Sequence, residues 1–414
     1  PQSDFFEIRF YVRQIFRTMG LKGTKMNAQE LMAKINGDFP EVRIAAAITG
    51  GGTSAVGEML RYGGSSGSVL YAYVPYSPIF TEQYLGRAPE KLCSAETARM
   101  LAMKAYHDIV QFHGYQDGDV YPVGIGATSA LGKITKEREG REHKIYVAVQ
   151  NREKTITYEL FLTEPRSREE EEKVNELLIL SALAEGCNLP LECDLLGEAV
   201  IPETLDVKTD EGVVLESVLC GETPFSVYGN DGLVTVKGSV DHVKLLLPAS
   251  FNPLHEAHLE MANIASKSAG HACHFEMSIM NADKPPLTYT EIYRRLDYFD
   301  NHKLDGDLWI TRLPTFVEKA KHFSPVTFVV GADTVARICD PRFYGGSESN
   351  MLAALQEMSD LGVKFFCFAR EVDGKIQEAF DSNPPKVFKE MALPFLSSVF
   401  ASNISSTEIR RNDS

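Results

Sequence analysis

The run Lys244-Leu245-Leu246-Leu247-Pro248-Ala249-Ser250-Phe251-Asn252-Pro253-Leu254-His255-Glu256-Ala257-His258 decides how the second half of the chain is read. An apolar segment ends at Pro248, a short loop follows, and two histidines then stand three residues apart. Leu259, Met261, Ala262 and Ile264 continue at helical spacing, so the run reads as strand, loop and helix start. Both histidines then fall on one face of the first helical turn. A helix start offers unpaired N–H groups and the positive end of its dipole, which suits a polyphosphate.

These residues resemble the serine- or glycine-led F-(D/N)-P-x-H-x-G-H signature of the nucleotidylyltransferase superfamily. Here it stands as Ser250-Phe251-Asn252-Pro253-Leu254-His255-Glu256-Ala257-His258. Ala257 takes the place of a glycine, and its methyl is expected to narrow a phosphate's approach without abolishing it.

Beyond the signature, helical and apolar-strand segments alternate. Phe275 to Met280 leads to a helix from Glu291 to Tyr298 that carries Arg294 and Arg295. Leu308 to Ile310, Val326 to Val330 and Val363 to Ala369 are further strands. The alternation predicts an α/β domain: a Rossmann-like, doubly wound parallel sheet with helices on both faces and ligands at the carboxyl ends of the strands. Two of those ends carry further resemblances. Gly331-Ala332-Asp333 resembles the G-A-D of nicotinamide or nicotinate mononucleotide adenylyltransferases. Ile404-Ser405-Ser406-Thr407-Glu408-Ile409-Arg410 resembles the superfamily's I-S-S-T-x-I-R. Its hydroxyls can cap a helix and leave N–H groups for a phosphate, which Arg410 can also grip through its fork of donors. Only four residues follow Arg410, so a very short helix and a loosened Arg410 site are expected.

The resemblance implies a reaction. A mononucleotide phosphate attacks the α-phosphorus of ATP, and pyrophosphate leaves. The attacking oxygen is already ionised, so catalysis is alignment and neutralisation of charge. By the resemblance His255, His258 and Arg410 contact the triphosphate. Ser250, Phe251, Asn252, Gly331, Ser405, Ser406 and Thr407 line the nucleotide site, and Lys284, beside Pro285, reaches the phosphates. Asp333 is the candidate sugar or base contact. Phe343 and Tyr344 are candidates to stack on a pyridine ring, while Trp309 is read as core. Mg2+ is expected mainly on phosphate oxygens, without a dedicated protein metal site. Two alternatives stay open: another acceptor, such as phosphopantetheine or a phosphoalcohol with CTP, and a non-catalytic mononucleotide sensor.

The N-terminal half has its own pattern. Residues 4 to 37 read as helices, and Arg43 to Ile48 as a buried strand that runs into Thr49-Gly50-Gly51-Gly52-Thr53-Ser54. A strand, a glycine loop and a helix can hold a phosphate or carboxylate. Ser94 opens a long helix, Tyr121 to Ser129 reads as a second strand-to-loop passage, and Lys144 to Val149 as a strand. Arg166 and Arg168 precede an acidic helix start. In this order, over about residues 5 to 190, the pieces resemble the C-terminal domain of the competence/damage-inducible protein CinA, the nicotinamide mononucleotide deamidase fold. The family's serine is Ala47 here and its lysine is Thr81, while Ser66 and Tyr76 stand at the family spacing. A serine nucleophile needs a base, which a threonine cannot supply. This half is therefore expected not to deamidate. It keeps a candidate mononucleotide pocket of Thr49, Gly50, Gly51, Ser66, Tyr76 and Arg168, and a role in forming a homo-oligomer.

Bulk composition sets the frame. At 414 residues the chain exceeds one ordinary core. The expected division is 1–190, a β-rich connector at 191–242, and 243–414. Hydrophobic residues at 44% and charged residues at 24% place it among globular proteins. A formal net charge of -15 argues against nucleic-acid or anionic-membrane partners and leaves small-molecule nucleotides. Seven scattered cysteines without a C-x-x-C pair fit a reducing, cytoplasmic setting. The chain begins at Pro1, so an organellar targeting segment ahead of it is compatible with this reading.

Overall fold

The computed structural model describes residues 26–113, 119–132, 141–163, 165–189, 205–212, 214–229, 232–235, 240–280, 285–302, 304–372, 375–378, 380–393 and 401–402. The chain forms two units, Pro1–Glu211 and Gly212–Ser414.

In the first unit, α1 (Ala28–Asp38) opens on a capping box in which Asn27 and Glu30 satisfy each other's backbone amides. Then come β1 (Val42–Thr49), α2 (Ser54–Arg61), β2 (Val69–Tyr73), α3 (Pro78–Leu85), α4 (Ala95–His113), β3 (Tyr121–Ala130), β4 (His143–Gln150), β5 (Lys154–Leu162), α5 (Arg168–Gly186) and β6 (Leu205–Glu211). Among the described residues the strands lie in the order β2-β1-β3-β4-β5-β6. β1 runs parallel to β2 and β3, and the later pairs are antiparallel. Ile44, Ile48, Val123, Ile125, Val147, Leu178 and Leu183 are buried together in one core.

The passage Tyr121 to Ser129 is strand throughout, not strand running into loop. Its glycines serve packing. A Cβ on Gly124 would lie 2.2 Å from the Ala102 carbonyl oxygen, and one on Gly126 2.1 Å from that of Ala98. Only glycine lets α4 lie this close to β3.

The expected connector does not stand alone. β6 is the edge strand of the first sheet, hydrogen-bonded to β5. β7 (Phe225–Gly229) and β8 (Gly232–Thr235) form a hairpin that belongs to the second sheet, where β7 pairs with Leu308–Thr311. The boundary therefore falls at Glu211/Gly212. Within the segment expected to be β-rich, Glu216–Leu219 is one helical turn.

The second unit continues with β9 (Leu245–Pro248), α6 (Glu256–Ala269), β10 (Cys273–Ser278), α7 (Tyr289–Asp300), β11 (Leu308–Thr311), α8 (Phe316–Phe323), β12 (Thr327–Gly331), α9 (Ala332–Ile338), α10 (Glu348–Asp360), β13 (Lys364–Val372), β14 (Lys375–Gln377), α11 (Lys386–Met391), β15 (Ala392–Leu393) and β16 (Ala401–Ser402). The sheet order is β14-β13-β12-β9-β10-β11-β7-β8, and β13-β12-β9-β10-β11 run parallel. β10 and β12 lie on opposite sides of β9, so the strand order reverses at β9. That reversal is where doubly wound sheets bind ligands. Trp309 is core as read, buried among Phe225, Phe323 and Phe328.

Candidate functional site

The signature leaves the sheet at this reversal. β9 pairs with β12 only through Leu246↔Phe328, yet with β10 as far as Pro248↔Glu276. Beyond Leu246 no β9–β12 pairing continues among the described residues, and the carboxyl ends of these two strands are where a strand reversal places its crevice. Residues 249–255 enter α6 from one side of it, and Gly331 enters α9 from the other.

His255 is the N-cap of α6, in extended backbone conformation, and His258 is its third residue. Their rings stack with centroids 3.8 Å apart and 26° between planes. The His255 backbone N–H donates to His258 Nδ1 at 3.4 Å. Burial, then the neighbouring His255 ring, holds the His258 imidazole far below its ordinary value, at about 3. His258 is thus neutral at physiological pH. With Nδ1 accepting a hydrogen bond, its proton belongs on Nε2. The His258 N–H already donates to the His255 carbonyl at 2.9 Å, so the amides ahead of the first turn's hydrogen bonds are those of Glu256 and Ala257, beside the imidazoles.

Phe251 shapes the loop. Its φ of 45° is in the left-handed region, which costs a non-glycine residue about 1–3 kcal/mol. Packing holds it there: the ring is fully buried and meets the rings of His258, Phe275 and Phe299 edge-on. Phe251 is therefore a wedge beneath His258, with no exposed face for a nucleotide. Ser250 is exposed. Ala257 is buried, so its methyl is no part of the exposed surface at the helix start.

Asn252 shows a partner that the sequence reading missed. Arg294 Nη2 donates to Asn252 Oδ1 at 2.5 Å and to Glu291 Oε2 at 2.8 Å. Half-exposed Arg294 thus ties α7 to the signature loop. The double arginine was visible in the sequence, but nothing there linked it to a residue 42 positions away.

Gly331 caps α9, and a Cβ there would lie 2.9 Å from Asp333 Oδ1. Asp333 is exposed at the amino end of α9, beside the carboxyl end of β12. Tyr344, the other expected stacking residue, is partly buried. That side chain packs against the core, and its hydroxyl donates to the Ile338 carbonyl at 2.8 Å. Phe343 is faced by the Arg337 guanidinium at 5.2 Å. Lys284, Ser405, Ser406, Thr407 and Arg410 lie outside the described residues, and so does the expected meeting of Arg410 with the histidines. β16 pairs with Ala369 and Arg370 of β13.

A buried ion pair joins β10 to α8. Lys319 Nζ lies 3.1 Å from Glu276, which accepts from Thr311 Oγ1 at 2.5 Å. The backbone carbonyl of Glu276 accepts from Ala249 N–H at 3.0 Å, at the root of the signature loop.

The first unit's candidate pocket is divided. Ile44 pairs with Val69 and Ala47 with Tyr73, so the carboxyl ends of β1 and β2 lie together. Ser66 precedes β2 and is at the opposite end of the sheet from Thr49, Gly50 and Gly51. Tyr76 follows β2 and is exposed. The glycine loop itself is engaged by α5. Gly52 N–H donates to Glu172 Oε2 at 2.6 Å, and Arg168 Nη2 donates to the Gly50 carbonyl at 3.2 Å. Gly50 and Gly52 have φ of 84° and 76°, and a Cβ on Gly50 would lie 2.2 Å from the Ser129 carbonyl oxygen. Glycine is required for that turn, and a carboxylate of the chain itself takes up the loop's amide. The neighbouring Glu171 does the same for Gly132 N–H at 2.5 Å and meets His143 Nδ1 at 2.6 Å.

The strand reversal and the helix start that follows it are those of a Rossmann-like domain. Residues 246–412 match the family model of cytidylyltransferase-like domains, and this match supports nucleotidyl transfer as the activity of the second unit. Among solved structures, the chain is similar to a competence-damaged protein (CinA) superfamily protein from Escherichia coli at 14% identity. That alignment covers 38% of this chain and 90% of that one, with a TM-score of 0.30. A competence/damage inducible protein from Agrobacterium tumefaciens aligns at 18% identity over 39% and 97%, with a TM-score of 0.31. A CinA superfamily protein from Enterobacter cloacae aligns at 18% over 40% and 93%, with a TM-score of 0.32. No curated protein matches the sequence. Among the described residues no helix is long and apolar enough to cross a membrane.

Proposed function

We propose that the second unit joins ATP to nicotinamide or nicotinate mononucleotide and releases pyrophosphate. The observation that carries this reading is the stacked His255/His258 pair at the start of α6, at the strand reversal. The neutral His258 imidazole donates from Nε2 to a phosphate oxygen, and the α6 amides align the same group. Arg410 and Lys284 complete the neutralisation of the departing pyrophosphate, as the sequence resemblance implies. Magnesium prefers oxygen ligands and arrives as part of the substrate on the triphosphate oxygens. Gly331-Ala332-Asp333 favours the pyridine mononucleotide by its resemblance.

The test is pyrophosphate release from ATP plus either mononucleotide, with His255→Ala as control. Turnover that the substitution abolishes supports the reading, and no release with either acceptor overturns it. The cytidylyltransferase-like match keeps a second reading alive, in which CTP and a phosphoalcohol react at the same histidines. Release with that pair alone selects it. Nucleotide-dependent thermal stabilisation without turnover selects the sensor reading.

For the first unit we infer no deamidation. Ala47 is fully buried, and the buried Thr81 hydroxyl donates to the Pro75 carbonyl at 2.8 Å, so neither position supplies a nucleophile or a base. Ammonia release from nicotinamide mononucleotide by the full chain overturns this.

A further inference from the structure

Three phenylalanines form one edge-to-face cluster against the signature loop. The Phe251 and Phe299 rings lie 5.2 Å apart at 90°, Phe251 and Phe275 5.7 Å apart at 70°, and Phe275 and Phe299 5.5 Å apart at 80°. All three are buried. His258 stands edge-on to Phe251 at 5.2 Å, and His255 stacks on His258. Ring contacts therefore run without a break from the last turn of α7 to the histidine pair.

Each ring has a different support. Phe275 is fixed by β10, which pairs with β9 on one side and β11 on the other. Phe251 sits in a loop at φ 45°, a conformation that persists only while its surroundings enforce it. Phe299 is where α7 joins that enforcement. The same helix holds the next loop residue, Asn252, through Arg294. Its end is pinned in turn, since Asp300 accepts from the Tyr228 hydroxyl of β7.

We propose that Phe299 is a positioning residue for nucleotidyl transfer: by closing the socket around Phe251 it fixes where the His258 ring stands. The proposal rests on the reading that His255 and His258 handle the phosphates. A smaller, flexible side chain at 299 lets Phe251 relax from its left-handed conformation, and the histidine pair moves with it. A shift on the order of 1 Å at a group that aligns the reaction costs up to ~10²-fold in rate. The pair is invoked for charge that develops in the transition state, so the loss falls on kcat rather than KM.

The test compares Phe299→Leu with Phe388→Leu in the full chain. Phe388 is a fully buried ring of α11 that packs on Phe365 of β13, two strands away from β9. Phe299→Leu is expected to lower kcat for pyrophosphate release at least about tenfold, with KM within about twofold. Phe388→Leu is expected to lower the melting temperature comparably and to leave kcat alone. A second readout needs no turnover. In a chain carrying nitrogen-15 histidine, the ring nitrogen shifts near neutral pH should show His258 as one tautomer, because Nδ1 accepts from the His255 N–H. His258→Gln identifies that signal. Phe299→Leu is expected to average the two tautomers, and Phe388→Leu to keep the single one. If Phe299→Leu does not fold, Phe299→Met carries the same expectations. A Phe299 variant that keeps the single tautomer or the native kcat overturns the proposal, and so does an equal loss of kcat in Phe388→Leu. If the native chain turns over no acceptor, the functional reading fails by itself, and the tautomer comparison still decides the role of Phe299.

Discussion

The Gly52 amide donates to Glu172 Oε2 across 2.6 Å, although 120 residues separate the two. A loop whose sequence invites a phosphate is thereby held by an acid of its own chain. Glu172 is fixed in turn by Arg168, whose Nε lies 3.1 Å from Oε1. Replacing Glu172 with Ala leaves the amide and the guanidinium without this acceptor. Chemical denaturation should show a loss of about 1–3 kcal/mol, with Glu172→Gln recovering part of it.

His258 makes stability depend on pH. Its folded value is about 3 and its ordinary value 6.5. Between those limits the unfolded chain holds a proton on this imidazole and the folded chain does not. Its contribution is complete above pH 6.5 and declines as pH falls toward 3. Denaturation midpoints over that window should show the slope, and His258→Gln should flatten it. Since His258 stays neutral from pH 5 to 8, any activity change in that range must come from another group.

Arg294 is expected to position the signature loop through Asn252. In Arg294→Met, kcat/KM for pyrophosphate release should fall about tenfold, the equivalent of ~1.4 kcal/mol from one charge-assisted hydrogen bond. The melting temperature should change little, because the side chain is half-exposed. Arg294→Lys should recover only part of the activity, since a lysine cannot reach Asn252 and Glu291 with the same planar fork.

The pair Glu276–Lys319 should be costly to break and cheap to replace. Burial pushes the Glu276 carboxyl above the usual range, against the opposing pull of Lys319 and Thr311. Lys319→Met strands that acid in the core and should cost about 3–5 kcal/mol in a denaturant titration. The double variant Glu276→Leu/Lys319→Met removes both charges and should regain much of the loss.

Period and punctuation made the second unit legible in sequence. Val326 to Val330 and Val363 to Ala369 are apolar runs of strand length; the first emerged as the parallel strand Thr327–Gly331 and the second as Lys364–Val372. The signature loop was readable because its order of residue types is local. The errors arose where a choice depended on distant partners. Glycines at 124 and 126 looked like a loop until α4 was found against them. Segments at 205–211 and 225–235 looked like one insert, and only pairing showed which sheet each completes. Tyr344 offered an aromatic ring to either core or ligand, and the Ile338 carbonyl took its hydroxyl.

The sequence by itself determined the parallel sheet of the second unit and the two histidines on one helical turn. Those features are periodic or adjacent, so local geometry fixes them. Only the tertiary structure decided that Arg294 holds Asn252, that Glu172 takes up the glycine loop's amide, and that Ser66 lies at the opposite end of its sheet from that loop. Each depends on where separate segments pack, and a chain's local propensities do not encode which far-off partner will arrive.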